Sequence, residues 1–480
     1  MPEESLRYKT KKGLYWRFFD TFANYGMQFI VGIFMARMLT PEDYGITALP
    51  AVFLAIAGIF ISGGFGTALI RKPEVTEEDL STAFYYSICV GVLCYSVLFL
   101  ASPYIAVFYE TPILKSLIRV TALSFLWGPL NTPQTVILTR RMDFKNPARI
   151  SIVNKIIGSA VGITMAYTGF GVWALVGSGL VSSLIGLIQT WWVVKWLPRA
   201  PFSKESFKYL WNFGNKMIAA NMVSTLYQNI VPVLLGKFGG ARDLGILNRA
   251  NTFANLPSSN ATSVLSSVSF PALSKIQDDN ERFTFVYRRI IRVSAFIIFP
   301  VMLMLSALAR PVVITTISAK WEACIILLQI SCITHMLQPL QILNLNLLQI
   351  KGRPDLQLRI EVVKRIVGAG VLIYATINFS LVGLCITDFF YTLFALAMNS
   401  YYSGKLIQVG IFKQIKDVMP SLILSIVMMG FVVLTNMIID NMILQMIIGG
   451  SAGAAIYLGV SYLMKFPELE EVKYLLSKKK

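Results

Sequence analysis

The chain has 480 residues, 55% of them hydrophobic and only 14% charged, with a formal net charge of +18 and a mean hydropathy of +0.63. A soluble globular protein carries about 25% charged residues, so this composition leaves too little polar surface for a protein of this size in water. Five cysteines (Cys89, Cys94, Cys324, Cys332 and Cys385) lie in apolar runs without metal-type pairing and read as packing residues.

The N-terminal stretch MPEESLRYKTKKG is polar and basic, with no cleavable apolar segment. A spanning helix needs about 20 mostly apolar residues. Such runs are expected near 14–39, 44–70, 82–102, 117–138, 149–169, 172–195 and 213–238. Further runs follow near 244–270, 291–310, 322–350, 358–378, 381–404, 417–437 and 441–464. The count is fourteen, and span 10 is long enough to kink at Pro339. With the N-terminus placed inside, 34 of the 43 Lys and Arg residues fall on that side, eight on the other, and Lys155 within span 5. The positive-inside rule then makes both termini cytoplasmic. The basic charge is explained by topology, because no soluble domain gathers it as nucleic-acid binding would require.

An internal repeat runs through the spans. Residues 36–46 (ARMLTPEDYGI) are echoed by 236–246 (GKFGGARDLGI). Residues 149–163 (RISIVNKIIGSAVGI) match 359–373 (RIEVVKRIVGAGVLI) at seven of fifteen positions, and Pro129 falls opposite Pro339. One unit of about 200 residues is used twice. Six spans separate the copies, so both have the same orientation and the lobes are related by an axis along the membrane normal. The expected fold class is an all-α polytopic membrane protein. Its N-terminal lobe is 1–200, its C-terminal lobe 201–412, and 413–480 holds two extra spans and a tail. Asp43 and Asp243, in equivalent turns, are expected to cap the helices that follow.

Segment 201–216 (PFSKESFKYLWNFGNK) places Phe207, Leu210, Trp211 and Gly214 on one helical face and reads as an interfacial helix joining the lobes. The tail PELEEVKYLLSKKK reads equally as amphipathic or as solvated.

Loops are short, and neither GxxxxGK[ST] nor HExxH occurs. No cofactor, metal site or catalytic residue is expected, and the chain does not read as an enzyme. The informative residues are polar ones inside spans, where they are costly. Span 1 carries Asp20, Asn24 and Gln28 at intervals of four, with Arg17 one turn below; span 7 carries Asn221, Thr225 and Gln228. Span 8 carries Asn248, Asn251, Asn255, Ser259 and Thr262. Each set follows one helical face. Stripes this continuous favour a water-filled cavity over hydrogen-bonded glue. Lys155 and Arg365, at matching places in the repeats, together with Lys364 and Arg249, are cationic candidates for an anionic substrate. Snorkelling to the interface is the alternative for Lys155, Lys364 and Arg365. Asp20, His335 and Asp388 are candidates for ion coupling, His335 also fitting a hydrogen-bonded packing role.

Several stretches resemble Wzx-type lipid-linked oligosaccharide flippases: MARMLTPEDYG (35–45), LTRRMDFK (138–145), GFGVWALV (169–176), LNRANTFANLP (247–257) and FPALSKIQDD (270–279). The resemblance covers nearly the whole chain and is nearest to the capsule and colanic-acid exporter branch. It implies the multidrug/oligosaccharidyl-lipid/polysaccharide exporter fold, with spans 1, 2, 7 and 8 lining a central cavity. It further implies transport of an undecaprenyl-diphosphate-linked oligosaccharide across the bacterial inner membrane. Membrane lipid, a monovalent ion or proton, and polymerase or export proteins are the other partners it suggests; no nucleic acid is expected. A peptidoglycan-precursor flippase and an ion-coupled drug exporter share the superfamily. A membrane glycosyltransferase or polymerase, from another class, would need catalytic acids on a sizeable loop.

Overall fold

The computed structural model describes residues 23–471, and every regular element among them is helical. Helix α1 covers 23–38. It is followed by α2 (Pro41–Ala48), α3 (Ala51–Ser62), α4 (Phe65–Arg71), α5 (Glu77–Phe108), α6 (Leu114–Thr121), α7 (Ser124–Trp127), α8 (Thr132–Arg140), α9 (Lys145–Tyr167), α10 (Val172–Val194) and α11 (Lys204–Phe238). The second half comprises α12 (Gly240–Ser274), α13 (Asn280–Ala307), α14 (Ala309–Ile317), α15 (Cys324–His335), α16 (Gln338–Ile350), α17 (Pro354–Asn378), α18 (Leu381–Ile407), α19 (Ile411–Ile438), α20 (Met442–Leu444) and α21 (Gly450–Leu463), with a π-helical turn at Gln445–Gly449. The chain is a multi-pass integral membrane protein.

Among the described residues, ten helical stretches are long and apolar enough to cross a membrane. The other four expected spans are helical but miss that standard for different reasons. Span 1 is described only from residue 23. Span 4 is broken into α6, α7, a 3-10 turn (Gly128–Asn131) and α8. Span 8 carries the long polar stripe of α12, and span 11 (α17) carries Glu361, Lys364 and Arg365. Span 10 breaks between α15 and α16, and Pro339 sits in the first turn of α16, as expected. Pro129 lies in the matching break of span 4, so the repeat extends to its kinks.

Helix ends follow local chemistry. Thr40 caps α2 in a reciprocal box: its hydroxyl accepts from the Asp43 amide (3.2 Å), and Asp43 accepts from the Thr40 amide (2.9 Å). The expected capping role of Asp43 is thus played from the third helical position. Asp243 lies in the first turn of α12. Thr76 and Asp79 form the same box on α5. The corner before α5 is clamped by Arg140, which donates to the carbonyls of Leu69 (3.0 Å) and Pro73 (2.7 Å). In the second repeat Lys351 does this work at the α12–α13 corner, donating to the Gln277 carbonyl (2.5 Å) and Asn280 (2.8 Å).

The chain divides into two compact units, Met1–Gly245 and Ile246–Lys480. In the first, α9 and α10 form a tight hairpin. Gly158 and Gly162 meet Ser182 and Ser178 across it, the close approach that small residues four apart permit. The dividing point lies beyond residue 200 because α11 packs against α3, α4 and α5.

The expected interfacial helix at 201–216 is not a separate element. Those residues run into span 7 as the single 35-residue α11, about 52 Å long at 1.5 Å per residue. The shared face of Phe207, Leu210, Trp211 and Gly214 exists, and it packs largely on protein, with Trp211 at its exposed edge. Phe207 and Trp211 stack at 5.8 Å, Phe207 meets Phe65 at 6.0 Å, and Trp211 meets Tyr86 at 6.2 Å. Gly214 lies within the helix, where a side chain would strike the Gly63 carbonyl and the Phe65 ring.

In the second unit α19 and α21 pack on α13. A buried polar hub holds the helices in register. Asn344 of α16 exchanges hydrogen bonds with Gln414 of α19 (both 2.9 Å) and accepts from Tyr287 of α13 (3.1 Å) and Ser403 of α18 (2.5 Å). Arg288 grips Asp417 with two nitrogens, at 2.7 and 2.6 Å. The described part of the tail is helical and docked: Glu471 pairs with Arg289 (2.6 Å) and Glu468 with Arg292 (3.2 Å).

Candidate functional site

In the first unit the structure brings Asn24 and Lys155 to one place. Asn24 of α1 accepts a hydrogen bond from Ser151 of α9 at 3.0 Å. Ser151, Asn154 and half-buried Lys155 line a cavity of about 410 Å³, closed from α10 by Ser182 and Ser183 and from α8 by Thr135. Among the described residues the cavity is lined by one cation with hydroxyl and amide groups, a lining that suits an anionic or hydroxyl-rich ligand. Gln28, Asn221 and Gln228 are exposed and Thr225 half-buried, its carbonyl accepting from Asn229 (2.8 Å). Arg17 and Asp20 lie outside the described residues.

In the second unit the stripe of α12 divides. Asn251 accepts from Ser331 of α15 (3.1 Å), and Ser258 donates to the His335 carbonyl (2.7 Å) and to Gln338 (2.9 Å). Those residues join α12 to the kinked span. Asn248 and Ser259 are half-buried, and Asn255 is exposed on the remaining face. The expectation of a lining face therefore rests on Asn248, Asn255 and Ser259, while Asn251 and Ser258 act as glue.

The cations are held differently from one another. Arg249 is buried, its guanidinium 5.3 Å from the Phe253 ring centre and 5.9 Å from that of Trp321. Aromatic faces attract such a cation. Lys364 is buried and ion-paired with Glu361 one turn earlier, so its charge is balanced inside α17. Arg365 is half-buried beside it. Asp388 is half-buried on α18, one turn before Tyr391, whose hydroxyl donates to the Lys364 carbonyl (2.9 Å). The basic pair of α17 and Asp388 thus lie on facing helices. His335 shares a hydrogen bond between its Nδ1 and the Ser331 carbonyl (2.9 Å), in the span 10 break.

Residues 34–326 match the family described as polysaccharide biosynthesis protein. The chain belongs to that family. It is 27% identical over 356 residues to the teichuronic acid biosynthesis protein TuaB of Bacillus subtilis (strain 168), covering 73% of each chain. It is 25% identical over 362 residues to the lipopolysaccharide biosynthesis protein WzxC of Escherichia coli (strain K12), covering 75% of this chain and 74% of that one. Among solved structures it superposes on the lipid II flippase MurJ in an inward closed conformation with a TM-score of 0.75, at 16% identity, over 93% of this chain and 98% of that one. An inward-facing MATE family transporter of the MOP superfamily gives a TM-score of 0.61 at 16% identity, over 80% and 94%. The exporter fold implied by the sequence motifs is therefore the fold of this chain.

Within this member of the polysaccharide biosynthesis family, the motif residues turn out to be largely architectural. Thr40 and Asp43 of the TPEDYG stretch make a cap, Arg140 of LTRRMDFK clamps a corner, and Asp279 of FPALSKIQDD caps α13 through the Arg282 amide (3.0 Å). Sequence reasoning passed over Ser151, Asn154 and Ser182, which surround Lys155, and Trp321, which flanks Arg249. Helical spacing was available for the first two: Ser151 lies four residues before Lys155 and Asn154 beside it. Ser182 and Trp321 come from other helices and left no local signal.

Proposed function

We propose that this chain is a carrier, not an enzyme, that moves an undecaprenyl-diphosphate-linked oligosaccharide from the cytoplasmic to the periplasmic leaflet of the bacterial inner membrane. Both termini are cytoplasmic in this reading, fourteen spans cross the bilayer, and two lobes of six spans rock about the substrate path. A proton or monovalent ion drives the cycle. The observation that supports it is exposed amide side chains (Gln28, Asn221, Gln228 and Asn255) within the expected spans, in a chain of the polysaccharide biosynthesis family. Amides facing hydrocarbon would be costly; facing sugar hydroxyls, they are satisfied. Lys155 and its hydroxyl surround supply a place for diphosphate oxygens. The names of TuaB, a teichuronic acid biosynthesis protein, and WzxC, a lipopolysaccharide biosynthesis protein, point the same way. Deleting the gene should abolish the surface polysaccharide and accumulate its lipid-linked unit on the inner leaflet. Normal polysaccharide in the deletion strain, with no redundant exporter, would refute the proposal.

A further inference from the structure

We propose that a cleft between the first turns of α13 and the α18–α19 corner binds the phosphate of a membrane glycerophospholipid. The cleft has a volume of about 550 Å³ and is lined by Thr284, Arg288 and Arg292 on one side and Gln408 and Lys413 on the other. None of these residues belongs to the polar stripes or to the Lys155 cavity.

Three observations converge. The first is donor capacity. Arg288 uses Nε and Nη2 on Asp417, and Arg292 is ion-paired with Glu468 at 3.2 Å, its Nε making no hydrogen bond there. A guanidinium has five N–H donors in a fixed fork, so each arginine is oriented by its carboxylate while terminal N–H groups remain for a further acceptor. Lys413 is exposed and has no ion-pair partner among the described residues. Gln408, exposed in the left-handed conformation that ends α18 (φ 58°), adds an amide donor. Glu281 stands at the cleft's edge as its one acidic lining residue. Phosphate oxygens fit a cluster of this kind.

The second is position. Charged residues of α13 end at Arg292, and the helix is apolar beyond it. The cleft therefore sits where the bilayer surface meets water, the depth at which phospholipid phosphates lie. Basic pockets between helices at this depth recognise lipid headgroups.

The third is the apolar surround. Phe285 is 61% exposed at the cleft and Phe412 85% exposed beside it, and Ile415, Met419 and Ile423 continue an exposed apolar strip along α19. A soluble phosphate has no use for that strip; an acyl chain lies along it once its phosphate is held.

The test uses the purified full-length chain in non-ionic detergent, its thermal midpoint followed as phosphatidylglycerol is added in mixed micelles. The wild-type midpoint should rise by about 2–5 °C. Lys413→Glu should remove that rise, and Gln408→Ala should reduce it, each measured against its own lipid-free value. Inorganic phosphate at equal concentration should leave the midpoint unmoved. The proposal is overturned if lipid does not stabilise the wild type, if both variants respond as the wild type does, or if inorganic phosphate is as effective as lipid.

Discussion

Gly45 and Gly245 are repeat-mates, and they are packed reciprocally. A methyl group on Gly45 would overlap the carbonyl oxygen of Ala241, and one on Gly245 would overlap that of Pro41. Positions 41 and 241 are themselves repeat-mates. The two turns that first betrayed the repeat therefore touch each other, backbone to backbone.

That contact makes a non-additive prediction. Gly45→Ala and Gly245→Ala should each destabilise the purified protein by about 1–3 kcal/mol, the usual cost of overfilling a rigid contact. The double variant should cost clearly less than the sum, since one displacement relieves both overlaps. Simple additivity in thermal or denaturant unfolding would mean the two positions act separately.

The Arg288–Asp417 pair should be sensitive to loss of one partner and tolerant of loss of both. Asp417 is 8% exposed. Asp417→Asn is expected to cost about 1.5–3 kcal/mol, the range for hydrogen bonds to a charged group. Replacing both residues, Arg288→Met with Asp417→Leu, should recover much of it, because the pair's desolvation cost disappears too. Unfolding of the two variants side by side checks this.

The hub on Asn344 predicts an order of effects. Tyr287→Phe removes one hydrogen bond and should cost about 1 kcal/mol. Asn344→Ala leaves Tyr287, Ser403 and Gln414 without their common partner and should cost about 3 kcal/mol or more. Equal costs would show that the groups find other partners. Gln134, at the matching position of the first repeat, is likewise fully buried.

A small pH effect is expected at one end of α5. The Lys237 ammonium, 2.7 Å from Glu110, holds that carboxyl below its ordinary range. A carboxyl with a depressed folded pKa contributes stability that is present above its unfolded value, about 4.3, and lost as pH falls through the folded value. Wild type should therefore lose slightly more thermal stability than Lys237→Met between pH 6 and pH 3. Glu110 is exposed and Lys237 half-buried, so high salt should shrink the difference.

Lys155 should matter to transport more than to folding. Lys155→Ala is expected to lower export of the lipid-linked unit about tenfold or more, the loss of one charge-assisted contact, with Lys155→Arg retaining most of it. Complementation of a deletion strain, with surface polysaccharide and membrane level of the protein measured together, separates a transport defect from poor expression. Equal export by Lys155→Ala would leave snorkelling as its role.

The sequence by itself determined the helical membrane class, the repeat, the kink at Pro339 and a capping role for Asp43; that Thr40 is the N-cap residue came from the structure. The first four follow from short-range rules: apolar length, proline geometry and side-chain reach over one turn. The sequence also showed polar residues recurring at helical spacing. What a face meets was decided only in three dimensions. Asn251 is bound to Ser331 while Asn255, four residues on, is exposed. Lys364 is balanced by Glu361, whereas Lys155 lies among hydroxyl groups contributed by other helices. Phe207 meets Phe65 and Trp211 meets Tyr86, rings supplied by other helices, while Trp211 keeps an exposed edge. Periodicity fixes the direction of a side chain on its own helix; the partner comes from a helix far away in sequence, and only packing brings it there.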